Sequence, residues 1–171
     1  MKPLTCLIVL FLLISCKKDA LQSDLELSRE VWLAFKKSAN NNYSYTVKSE
    51  SWAGFGDSTI ISVSNGNVSG RKYSSYIMDG QTGQKTVRDT WTETGTSLNT
   101  HPHGAPTLNM DVVYEKAAKE WLRSDPEQNM IYFEVKNRGM ISTCGFVNKG
   151  CMDDCFTGIK ISDISAEQNV R

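Results

Sequence analysis

Asn65-Gly66 sits between two alternating runs and restricts the fold more than any other pair in the chain. A two-residue type I′ turn needs positive φ at both central positions, and asparagine followed by glycine adopts that shape at least cost. The run before the pair, Thr59 to Ser64, and the run after it, Val68 to Ile77, must then be neighbouring antiparallel strands. Upstream, Tyr43, Tyr45 and Val47 alternate with Ser44, Thr46 and Lys48, the pattern of a half-buried strand, and Ala53-Gly54-Phe55-Gly56-Asp57 reads as a turn. Downstream, Asp79-Gly80 and Gly83 turn the chain again, and Lys85 to Thr94 makes a fourth strand. One of its faces is wholly polar (Thr86, Arg88, Thr90, Thr92). The other mixes Val87 and Trp91 with Lys85, Asp89 and Glu93, which marks an edge strand protected by charge.

Two stretches have helical spacing instead. Ser23-Asp24-Leu25-Glu26 has the form of a capping box, and Leu27, Val31 and Phe35, with Trp32 beside them, predict an apolar helix face behind it. Lys36 and Lys37 suit the negative end of that helix, and Asn40-Asn41-Asn42 stops it. A second helix is expected from Thr107 or Asn109 to Asp125-Pro126, with Met110, Val113, Tyr114, Ala117, Trp121 and Leu122 as its stripe. Three more strands follow: Met130 to Lys136, Met140 to Val147 after the turn Asn137-Arg138-Gly139, and Gly158 to Ile164. The expected fold is α+β, two helices packed on an antiparallel sheet in the order α-ββββ-α-βββ. Trp32 precedes the first strand of one half much as Trp121 precedes Ile131-Tyr132-Phe133-Glu134-Val135 of the other. That is the trace a duplicated α-β-β-β unit would leave.

The N-terminus carries a different signal. Lys2 is the only charge before Cys16, and Leu7 to Ile14 is an apolar run too short to span a bilayer, which needs about 20 residues. Leu13-Ile14-Ser15-Cys16 resembles the lipobox of bacterial lipoproteins. The resemblance implies cleavage after residue 15, lipid on Cys16, and the cell envelope as location, with the outer membrane suggested by Lys17-Lys18-Asp19. Residues 16–23 are then a lipidated tether and residues 24–171 a single domain. Trp32, the Tyr43 to Val47 strand and Gly158-Ile159-Lys160-Ile161-Ser162-Asp163 are similar to features of small bacterial lipoproteins and of duplicated PepSY-like or beta-lactamase-inhibitor-protein-like domains. That likeness implies a binding or inhibitory role rather than catalysis.

Composition narrows the partners. The 19 basic and 19 acidic side chains balance, and no basic patch is visible, which argues against nucleic acid. No GxSxG, HExxH, P-loop or GxGxxG is present, and no cofactor is implied. With Cys16 lipidated, an oxidising compartment predicts one disulfide among Cys144, Cys151 and Cys155. Cys144–Cys155 is the expected pair, with Cys151 as the alternative partner. The sharper alternative is a metal or thiol-redox site in that loop: three thiolates and an imidazole would suit zinc, and Asp153-Asp154 could offer oxygens to calcium. Against it, the histidines are far from the cysteines and the acids lack EF-hand spacing. Trp52 and Trp91, with His101 and His103 in the loop Gly95 to Pro106, are the candidate binding residues, because Trp dominates interface hot spots and histidine titrates near neutrality. The expected partners are the membrane, through the lipid, and an envelope or extracellular protein or glycan.

Overall fold

The computed structural model describes residues 3–153 and 155–167, with side chains from residue 20 onward. Two helices and seven strands form an α+β fold in the expected order: α1 (Pro3–Ser38), β1 (Tyr43–Glu50), β2 (Phe55–Ser64), β3 (Asn67–Met78), β4 (Lys85–Thr94), α2 (Met110–Lys119), β5 (Asn129–Glu134), β6 (Thr143–Asn148) and β7 (Phe156–Ala166). The strands make one antiparallel sheet in the order β4-β3-β2-β1-β7-β6-β5. Asn65 and Gly66 have φ of 49° and 80°, as the type I′ turn between β2 and β3 requires. β4 is an edge strand, exposed along most of its length.

The helices cover one face of the sheet. Trp32, Tyr43, Tyr45, Ile61, Val63, Met110, Val113 and Ile141 are almost wholly buried at the centre. Burying each such side chain contributes roughly 1.5–3 kcal/mol. Polar contacts fix the angle between the helices: Asp111 accepts from Trp32 Nε1 at 3.0 Å and from Lys36 Nζ at 2.6 Å. The Ser28 and Tyr114 hydroxyls share a bond at 2.8 Å. Asn109 caps α2 by accepting from the Val112 N–H, and Met110 N–H donates to the Tyr43 hydroxyl. The second helix is shorter than its stripe suggests; Trp121 and Leu122 are buried from a 3₁₀ turn, Trp121–Arg123, that follows it.

Three expectations change. The first helix does not start at Ser23, because α1 runs unbroken from Pro3. No glycine or proline interrupts residues 4–39, so nothing stops the helix before the capping sequence. Residues 16–23, expected as a tether, have helical backbone within α1. Secondly, the buried stripe is Leu25, Ser28, Trp32 and Ala39, with Leu21 and Phe35 partly buried, while Leu27 and Val31 are exposed. A step of four residues advances about 40° too far per turn on a 3.6-residue helix, so a Leu27–Val31–Phe35 row crosses the surface obliquely and only its Phe35 end reaches the core face. Thirdly, the halves share an element order but not a placement. The strand after α1 lies mid-sheet beside β7, whereas the strand after α2 is the far edge.

Candidate functional site

Beyond the helices, the covered face of the sheet continues over β2, β3 and β4, and the loop from Gly95 to Pro106 folds onto it. A buried ion pair holds the loop there. Arg71 on β3 and Glu93 on β4 are direct cross-strand partners, with N···O 2.8 Å and both side chains nearly inaccessible. Each also reaches into the loop. Glu93 accepts from the backbone N–H of Asn99 at 2.8 Å and of His101 at 2.6 Å, and lies 2.9 Å from His101 Nδ1. Arg71 donates to the carbonyls of His101 and Ala105 at 3.1 and 3.0 Å. Burial on its own would raise the Glu93 carboxyl; the His101 N–H, Arg71, the His101 ring and the Asn99 N–H together outweigh it and hold the group well below the usual carboxylate range. Thr59, wholly buried on β2, accepts from the Ala105 N–H at 2.9 Å.

An aromatic stack supports the loop from beneath. Tyr73 lies on Trp91 with centroids 5.0 Å apart, and Trp91 lies on His101 at 4.4 Å with planes 6° apart. The Arg71 guanidinium sits 4.9 Å from the Trp91 centroid. At Gly104, with φ of 88°, a Cβ would press on Thr59 and Trp91, so only glycine lets the loop approach so closely.

Beside this loop lie two adjoining cavities. The larger, of about 420 Å³, is walled by Val47, Ala105, Pro106, Leu108, Trp121 and Ile159. The other, of about 340 Å³, runs past Phe55, Tyr73, Tyr76 and Arg88. Ser49 and Asp57 line both. Burial raises the Asp57 carboxyl above its ordinary value, and His103 pulls it the other way.

The binding residues expected from sequence are thus divided. Trp91 and His101 join one stack, and His103 lies exposed within electrostatic reach of Asp57. Trp52 is 86% exposed at the tip between β1 and β2 and belongs to neither the stack nor the cavity walls. Sequence reasoning placed Asp57 in a turn and missed it. It also missed the Arg71–Glu93 pair, whose signal was a charge in phase with Trp91 on one strand and with Tyr73 on the next.

The cysteines are arranged differently from the expected pairing. Cys151 and Cys155 sit at disulfide-bonding distance with Cα atoms 6.3 Å apart, while Cys144 is free and fully buried. Cys144 is on the inward phase of β6 and joins the core, so it cannot turn toward a loop beyond the strand end. Burial pushes its thiol up to about 12. No group of three His, Cys, Asp or Glu that could hold a metal occurs among the described residues. Asp153 lines a small surface cavity with Tyr132 and Phe156, and Asp154 lies outside the described residues. The Cys16 side chain is also outside them. Among the described residues, no helix is long and apolar enough to cross a membrane. No family model, curated protein or solved structure matches the chain.

Proposed function

We propose that this chain is an envelope lipoprotein, anchored through lipid on Cys16, whose domain is a non-enzymatic binding module. Its ligand-binding surface is the groove beside the Gly95 to Pro106 loop, and the ligand is part of an envelope or extracellular protein or glycan. The carrying observation is that the polar loop is locked. Glu93 and Arg71 take up two loop N–H groups and two loop carbonyls from a buried position. A surface fixed before its ligand arrives loses less ordering entropy on binding. The lipobox resemblance supports the anchor: two or three acyl chains, at about 0.8 kcal/mol per buried methylene, hold a protein on a membrane in effect permanently.

The anchor is tested by palmitate labelling and membrane fractionation of the whole chain and of Cys16→Ala. Labelled, membrane-bound native chain and unlabelled, soluble variant are the expected result; equal partitioning overturns it. For the module, hydrogen exchange is followed on the soluble chain from residue 17 with peptidoglycan fragments, glycans and peptides. Protection concentrated in residues 47–57 and 104–108 is expected. Protection elsewhere only, or chemical turnover of a bound component, overturns the reading.

A further inference from the structure

Asp57 differs from the other carboxylates around the groove, and the cations that share its walls are Lys116 in the larger cavity and Arg88 in the smaller. Glu93 is saturated by its partners, Glu50 accepts from the Tyr76 hydroxyl at 2.7 Å, and Lys116 is tied to Glu120 at 2.8 Å. No hydrogen bond or ion pair holds the Asp57 carboxylate among the described residues; His103 acts on it only through space. It is half-buried on β2 and lies in the wall common to both cavities. A carboxylate taken partly out of water without a partner costs free energy that an apolar or amide side chain would not. Groups kept in that condition inside a cleft mark places where a ligand supplies the missing partner.

The surroundings say what that partner is. An anion would meet the carboxylate head-on. A polyhydroxylated ring needs several donors and acceptors around its rim; beside Asp57 the larger cavity has Ser49, Lys116 and Thr157 as polar side chains, and the rest of its wall is apolar, aromatic or glycine. What fits is one positive donor on an apolar stem. A lysine side chain has that form, four methylenes ending in three N–H donors.

We propose that the groove recognises an alkylammonium group, presented as a lysine side chain of a protein partner, with the ammonium on Asp57 and the stem along Val47, Leu108 and Ile159. This inference rests on the groove being the binding surface and names its ligand. The side chain would displace water from apolar wall as it enters, so the stem as well as the charge contributes.

The test uses the soluble chain from residue 17 and small probes, read by amide chemical shifts and titration calorimetry. The probes are N-acetyl-lysine amide, n-butylammonium, N-acetyl-norleucine amide and N-acetylglucosamine, with an extended lysine-containing peptide and its norleucine counterpart. The expected result is that N-acetyl-lysine amide shifts the amides of residues 47, 57, 106 and 108 while the norleucine amide does not. The peptide binds at least tenfold more tightly than n-butylammonium, and Asp57→Asn lowers its affinity tenfold or more at a melting temperature no lower than that of the native chain. The comparison of lysine with norleucine needs no variant, so it holds however Asp57→Asn folds. Equal binding of lysine and norleucine probes overturns the inference. Tighter binding of the free amine than of the peptide overturns the protein partner. If N-acetylglucosamine alone moves these amides, the groove stands as a binding surface and the lysine assignment falls. If no probe and no envelope fragment moves them, both readings fall.

Discussion

Arg71 and Glu93 face each other directly across β3 and β4, and both side chains are shut away from water. Neither strand needs the pair for its own ladder; what it organises is the loop above. Removing one member leaves the other charge buried without its counterpart, which costs more than removing both. Arg71→Leu is therefore expected to loosen the loop before it loosens the sheet. Hydrogen exchange at the Asn99 and His101 amides should rise strongly in Arg71→Leu, with β1 and β7 amides little changed. The double variant Arg71→Leu/Glu93→Leu should recover thermal stability over Arg71→Leu while the loop amides stay fast. The loop should also loosen in acid. Because Glu93 is held below its ordinary value of 4.5, its contribution is complete above about that pH and is lost as pH falls through the folded-state value.

Much of the fold was legible because the turns are written in a few strong residues. Asn65-Gly66, Asn40-Asn41 and Arg138-Gly139 all take positive φ where the sequence placed turns. β4 was recovered at its ends and as an edge strand, because Lys85, Arg88 and Asp89 on it need water, Glu93 alone of its charges being buried. The site was less legible. Arg71 and Glu93 are paired by strand register, and no local pattern reports the partner of a charge. Asp57 looks like one more acidic turn residue until β2 extends through it. The cysteine pairing turned on which face of β6 Cys144 occupies, and the expectation set loop proximity above strand phase.

Gly145 and Gly158 are direct cross-strand partners on β6 and β7. Their backbones approach so closely that a Cβ on either would be driven into carbonyl oxygen of the other strand, and Gly158 has φ of 149°. Neither clash falls on a side chain that could swing away. Gly145→Ala and Gly158→Ala should each destabilise by about 1–3 kcal/mol or more, through overpacking and strain. Gly80→Ala, where a Cβ meets open space, is the control and should stay within about 0.5 kcal/mol. Urea unfolding monitored by Trp fluorescence measures all three.

The bond between Cys151 and Cys155 closes a very short loop, worth about 2 kcal/mol in the chain-entropy model. Reduction, or Cys151→Ser/Cys155→Ser, should lower stability by no more than about that amount and leave far-UV circular dichroism intact. Cys144 should behave in the opposite way. Burial keeps its proton on to about pH 12, and the core keeps reagents out. Iodoacetamide at pH 8 should therefore leave it unmodified in the folded chain and label it within minutes in 6 M guanidinium. Labelling of folded Cys144 at the rate of a free thiol would contradict its placement.

Tyr43 and Tyr45 stand one residue apart on β1 with both hydroxyls under α2 and the segment before it. Tyr43 accepts from the Met110 N–H at 2.9 Å, and Tyr45 donates to the Leu108 carbonyl. Burial raises the Tyr43 hydroxyl to about 12, with the Asp111 charge adding to it, and burial raises Tyr45 as well. In the unfolded chain both would release their protons near 10. Below that pH the two states hold the same protons and the contribution to stability is complete. Above it the unfolded chain ionises first, so stability falls as pH rises through the folded-state values, by roughly 2–3 kcal/mol from Tyr43 alone at pH 12. Urea midpoints between pH 8 and 11.5 should be flat to about 10 and then drop. In Tyr45→Phe, which gives up the bond to Leu108 but cannot ionise, the drop should be shallower and start from a lower plateau. An unchanged slope in that variant would show that Tyr45 does not titrate with unfolding.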